Sequence, residues 1–238
     1  MSKGFMEVYP FTTENISSYF PLLELDGKDV LTVGSSGDQA FNAILCGAGK
    51  VTIIDINPFT KGFVELKRNM ILDNSRRKLY YNVIRNEEYP MSEDLFSLDD
   101  LSKMSQYMSS DKKYDELREK LEDTEIDFVE GNIFSMDEAL GDEKFDRIIL
   151  SNILQYVDMF ASKYGYDNCS DFIRDNFDEW ISHLNDDGII ELLYLYSLSG
   201  QKKDLLRICS ALYDKIIYLS KFSNGNINDK AGILYYGK

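Results

Sequence analysis

The sequence is poor in the residues that build several common kinds of site. It has one histidine, one tryptophan, three cysteines and four prolines in 238 residues. A single histidine with no cysteine or histidine cluster at ligand spacing leaves no case for a zinc site, so no metal is expected. Nor does spacing support a Ser-His-Asp or Cys-His arrangement. The lone His183 is expected at a helix end, on surface or dipole duty. Cys46, Cys169 and Cys209 are odd in number and lack metal-ligand spacing, and no signal peptide precedes them. Reduced thiols and a cytoplasmic protein are therefore expected. Bases are also short: 26 against 41 acids give a net charge of −15. That argues against nucleic acid and against an anionic membrane surface as partners. Arg76-Arg77-Lys78 is the basic cluster to consider, and it reads as a solvated helix end. No apolar run approaches the ~18 residues of a membrane span, so no integral membrane association is expected. Repeats and low-complexity linkers are absent too, and the length suits a single domain over 1–238 carrying an insertion.

What is present centres on Val30 to Pro58. Val30-Leu31-Thr32-Val33 is an apolar run closed by Gly34, as in a strand buried on both faces of a parallel sheet. Gly34 and Gly37 bracket Ser35 and Ser36, where the backbone must turn sharply. Ser36 followed by Gln39 reads as a capping box opening a helix from Asp38 to about Cys46. Gly47-Ala48-Gly49 ends that helix, and Val51 to Ile54 forms a second strand ending on Asp55. A carboxylate ~20 residues past a glycine turn is placed to hold a ribose by its hydroxyls. The dinucleotide pattern G-x-G-x-x-G fails, because Ser36 and Gln39 stand where its second and third glycines belong. Asp38 at the helix start also opposes a diphosphate. It either faces a ligand's ammonium group or is a helix-end residue facing water. A nucleoside carrying an amino acid and no phosphate, S-adenosylmethionine, fits this unit better than NAD does.

This stretch resembles motif I and the acidic strand end of class I S-adenosylmethionine-dependent methyltransferases. More locally, SSGDQ, DINP and Glu65-Leu66-Lys67 resemble the aminocarboxypropyl transferases of betaine-lipid synthesis. The broad resemblance implies a Rossmann-like, doubly wound, seven-stranded and mostly parallel sheet with an antiparallel last strand. It also implies cofactor contacts at Gly34, Ser35, Ser36, Gly37, Asp38, Gln39 and Asp55, with Ile56 and Asn57 packing and bonding the adenine. Asn132, with Ile133 beside it, stands where the family commonly has an adenine-binding Asp. The N-terminal segment 1–28 is implied as a cap in which Tyr19 closes the pocket; the alternative is a packing segment that staples the N-terminus to the sheet. The first strand has Thr32 where many relatives carry an acid, and Asp38 is a candidate replacement.

Pro58 starts a helix to about Ser75 whose Phe59, Phe63, Leu66, Met70 and Ile71 mark one buried face. Residues 78–124 break the strand–helix alternation. They are read as a helical insertion: a lid or acceptor-binding subdomain, a structural hairpin, or a homodimer contact. Strands follow at Ile126 to Glu130 and from Phe145. The second of these ends on Ser151, Asn152 and Ile153, which should line the cleft beyond the strand ends. A helix from Asp171 to Leu184, a strand from Ile189 to Tyr196, a helix after Gly200 and a closing strand pair (Lys215 to Leu219, Gly232 to Tyr236) complete the chain. The turn-rich Ser223-Asn224-Gly225-Asn226 joins that pair. Tyr156 is the candidate for contact with the acceptor or the sulfonium through its ring face, or else a core tyrosine.

The expected activity is methyl transfer from S-adenosylmethionine to a small-molecule acceptor. Transfer of the 3-amino-3-carboxypropyl group and a non-catalytic cofactor-binding module with a protein partner are the alternatives.

Overall fold

The computed structural model describes residues 8–84, 97–223 and 230–238. The chain divides into two compact units, Met1–Glu130 and Gly131–Lys238. The turn-rich 224–226 stretch and residues 85–96 of the insertion lie outside the described residues.

The first unit opens with a short helix α1 (Ile16–Tyr19) running into a 3-10 turn (Phe20–Leu23). Strand β1 (Asp29–Val33) then leads into helix α2 (Asp38–Leu45), strand β2 (Lys50–Asp55) and helix α3 (Pro58–Asp73). Helices α4 (Arg76–Ile84), α5 (Leu98–Met104) and α6 (Asp111–Asp123) precede strand β3 (Ile126–Glu130). β1 and β2 pair in parallel from Asp29↔Lys50 to Val33↔Ile54, and β2 and β3 from Val51↔Ile126 to Asp55↔Glu130. Both central strands are near-continuous apolar runs, as burial on both faces requires.

The second unit holds α7 (Met136–Leu140), β4 (Phe145–Ile149) and a 3-10 turn (Ile153–Tyr156). Helices α8 (Val157–Lys163) and α9 (Cys169–Ser182) follow, then β5 (Leu184–Leu195), α10 (Lys202–Ala211), β6 (Ile217–Ser223) and β7 (Lys230–Gly237). β4 and β5 are parallel, whereas β7 runs antiparallel to both β5 and β6. The seven strands take the order β3-β2-β1-β4-β5-β7-β6. This is the mostly parallel, helix-flanked, Rossmann-like sheet with an antiparallel last strand that the sequence implies.

Three local expectations are corrected. Ser36 does not cap α2: the N-cap is Gly37, at φ 77°, with no side-chain cap bond. Arg76-Arg77-Lys78 does not end α3 but begins α4, and Arg76 is tied to Asp111 and to the Met108 carbonyl. The inward face of α3 is Thr60, Phe63, Val64, Lys67 and Ile71, while Phe59 and Leu66 are exposed. The helix is rotated from the apolar expectation because Lys67 points inward.

That inward lysine organises the first unit. Its ammonium donates to Asp38 Oδ1 (2.6 Å), the Pro10 carbonyl (2.8 Å) and the Ser36 carbonyl (3.1 Å), and lies 4.3 Å from the centre of the Phe11 ring. A buried ammonium costs several kcal/mol unless its protons are satisfied; here all three are. Burial still pulls its pKa down, against the opposing pull of Asp38. The described part of the insertion is packed into this unit. Tyr107, Tyr114, Leu117 and Leu121 are buried, and Lys120 donates to the Leu45 carbonyl at the end of α2 (2.7 Å).

Candidate cofactor site

The glycine turn leaves β1 and folds back on the end of β2. Gly34 N donates to the Ile54 carbonyl (3.1 Å), and Ser35 takes a left-handed φ of 45°. This aims the Ser35 amide at Asp55, whose Oδ2 accepts it at 3.0 Å; Asp55 Oδ1 accepts from the Asn57 amide at 2.8 Å. A Cβ on Gly34 would lie 2.5 Å from Asp55 Oδ2 and 2.5 Å from Thr60 Cγ2. Only glycine lets the carboxylate sit this close to the turn. Asp55 is half-buried, and each oxygen spends one lone pair on a backbone amide. A carboxylate oxygen has two, so a further acceptor site remains on each. The pinned, preorganised carboxylate fits a vicinal diol, which donates two hydrogen bonds side by side. Beyond it, Ile56 is 48% exposed and Asn57 caps α3 by accepting the Phe59 amide (3.0 Å).

Asp38 behaves differently. Its side chain is fully buried and does not face water. Oδ1 accepts from Lys67 and from the Tyr107 hydroxyl (2.6 Å each), and Oδ2 from the Thr12 amide (2.5 Å) and Ser36 Oγ (3.0 Å). Four donors use all its acceptor sites. The expected replacement for the missing first-strand acid is therefore a core anchor, tying the N-terminal segment and the insertion to the start of α2. Burial, then the charge of Asp38, holds the Tyr107 hydroxyl well above its ordinary pKa. Gln39 and Tyr19 are buried as well, and both donate to the Glu14 carboxylate (3.4 and 2.9 Å). Periodicity carries no signal for this cluster: Thr12 and Tyr107, for example, reach Asp38 from 26 and 69 residues away.

In the second unit, Asn132 Oδ1 accepts the Phe134 amide (3.1 Å) and its Nδ2 bonds the Tyr164 hydroxyl. Ile133 is buried, and its carbonyl accepts from Trp180 Nε1 (2.8 Å). Past the end of β4, Ser151 takes φ 60° and donates its amide to the buried Glu191 carboxylate (2.7 Å). Asn152 Nδ2 donates to the Tyr196 hydroxyl (3.3 Å). Ile153 opens the 3-10 turn that ends at Tyr156, a residue 50% exposed and so not a core tyrosine. His183 is corrected: it is buried, not a surface group.

No family model and no curated protein matches the sequence. Solved structures do resemble the fold. A methyltransferase from Pyrococcus furiosus has a TM-score of 0.53 at 16% identity, covering 98% of this chain and 88% of that one. A ribosomal protein L11 methylase from Lactobacillus delbrueckii subsp. bulgaricus scores 0.48 at 16% identity, covering 94% and 77%. The N-methyltransferase NodS from Bradyrhizobium japonicum, in complex with S-adenosyl-L-homocysteine, scores 0.47 at 11%, covering 93% and 86%. The first of these likenesses establishes a methyltransferase-like fold. Among the described residues no helix is long and apolar enough to cross a membrane.

Proposed function

We propose that the chain is a transferase that binds S-adenosylmethionine and moves its methyl group to a small-molecule acceptor in the cytoplasm. The observation that carries this is Asp55: a carboxylate pinned by two amides at the tip of β2, against a glycine that keeps the approach open. It binds the ribose hydroxyls. Gly34, Ser35, Ser36 and Gly37 form the turn over which the nucleoside lies, and Ile56 offers an apolar surface to the adenine. The fold shared with a methyltransferase supports the same reading.

The cofactor supplies a carbon already activated by its sulfonium. What remains for the protein is to orient the donor and acceptor and to exclude water. Tyr156 is assigned contact with the acceptor or the sulfonium through its ring face, and Asn132 contact with the adenine. A net charge of −15 supports an uncharged or cationic small acceptor over a nucleic acid.

Calorimetry with S-adenosylmethionine tests binding, and mass analysis of the spent nucleoside after incubation with candidate acceptors tests transfer. S-adenosylhomocysteine as product is the expected result. Methylthioadenosine would mean that the aminocarboxypropyl group moves instead, and absence of binding would overturn the reading.

A further inference from the structure

We infer that Asp137, Glu179 and His183 form a binding site for a first-row divalent cation of the zinc type. The site is independent of the proposed transfer reaction. It lies in the second unit at the N-terminal end of β4, where the Phe145 amide donates to the His183 carbonyl. Ser151 and Asn152 follow the opposite end of the same strand.

The argument starts from the hydrogen-bond accounting of His183, whose side chain is 3% exposed. Its Nδ1 lies 2.7 Å from the Glu143 carbonyl oxygen. A carbonyl only accepts, so Nδ1 carries a proton. Nε2 lies 2.8 Å from Asp137 Oδ1. In the neutral ring that nitrogen and the carboxylate are both acceptors, a conflict that either a second ring proton or a metal ion resolves. A cation removes the conflict. The Nδ1–H bond to a backbone carbonyl is also the outer contact that commonly fixes a ligating imidazole with Nε2 toward its metal.

Glu179 stands in the last turn of α9, four residues before His183, which C-caps that helix, so the spacing brings the two side chains to the same side of the helix end. Its Oε1 accepts the Asp137 amide (2.8 Å), which fixes the carboxylate at the start of α7. One ligand atom from each of the three residues lies within 4.8 Å of the others. Metal bonds of about 2.0–2.2 Å to imidazole nitrogen and carboxylate oxygen would set those two atoms about 3.3 Å apart. Asp137 must therefore retreat by about half an ångström, and its side chain is 76% exposed. Three protein ligands of imidazole and carboxylate type leave an open position for water. Sequence spacing gave no hint of this, because Asp137 is 46 residues from His183.

The test is Zn²⁺ titration of the full chain against a chromophoric chelator, repeated with Co²⁺ while the fluorescence of the single tryptophan, Trp180, is followed. Asp137→Asn and Glu179→Gln keep the shape of each side chain at accessible positions, and unchanged circular dichroism would show that they fold. One equivalent of metal is expected, with affinity lower by about tenfold or more in each variant. Zn²⁺ should raise the melting temperature of the parent and not of the variants. Absence of stoichiometric uptake would overturn the site and leave His183 and Asp137 as a hydrogen-bonded pair. Uptake equal in the parent and both variants would also overturn it, by placing the metal elsewhere, for example on a thiol.

Discussion

Asp38 and Asp55 belong to the same strand–turn–helix–strand unit, and the chain treats them in opposite ways. Around Asp38, two hydroxyls, an amide and an ammonium converge from the N-terminal segment, the turn, α3 and the insertion, and no acceptor site is left. Around Asp55 only the flanking backbone contributes, one amide to each oxygen, and the side chain stays half-open. The lesson is one of counting. A carboxylate whose lone pairs are all used by its own protein is part of the core, and one with lone pairs to spare at a strand tip is available to a ligand. Proximity to a motif does not distinguish the two.

The largest way to break this contrast is to remove the cation from the saturated side. Lys67→Met leaves Asp38 buried beside an apolar chain, and equilibrium unfolding in urea should show a loss of about 3–5 kcal/mol. Tyr107→Phe is milder, since it deletes one hydrogen bond to the carboxylate. It should cost about 1.5–3 kcal/mol in the same measurement.

Tyr107 also sharpens the comparison through pH. Its hydroxyl holds its proton above the ordinary value of about 10 in the folded chain, and releases it near that value when unfolded. Between those two values the folded state binds more protons, so stability contributed by this group falls as pH rises. A urea midpoint that declines above about pH 10 should decline less steeply in Tyr107→Phe. Smaller still is an effect at Cys46, at the end of α2, where burial raises the thiol's pKa. Iodoacetamide at mildly alkaline pH should modify Cys46 several-fold more slowly in the native chain than in urea, as read by peptide mass mapping.

These residues also show where the sequence was readable. β1 and β2 were legible because buried parallel strands are apolar throughout and glycine marks their ends; the antiparallel β6–β7 pair was legible from turn residues between two short runs. Asp55 was legible because its position follows from the local order of strand, turn and helix. The face of α3 was not, since apolar spacing assigns a lysine outward unless its partners are known, and those of Lys67 lie 29 to 57 residues away. Ser36 looked like a cap by its spacing to Gln39. The backbone instead placed Gly37 at the N-cap and turned the serine hydroxyl to Asp38. His183 was misplaced for a related reason: its contacts are the Glu143 carbonyl and Asp137, and neither leaves a trace in local pattern.

The central claim is that Asp55 grips the nucleoside's sugar, and titration calorimetry of S-adenosylhomocysteine into the parent and Asp55→Ala tests it most directly. A dissociation constant about tenfold or more weaker in the variant, with the fold retained by circular dichroism, is the predicted result, matching the loss of charge-assisted bonds to two hydroxyls. Equal affinity in the two proteins would contradict the account.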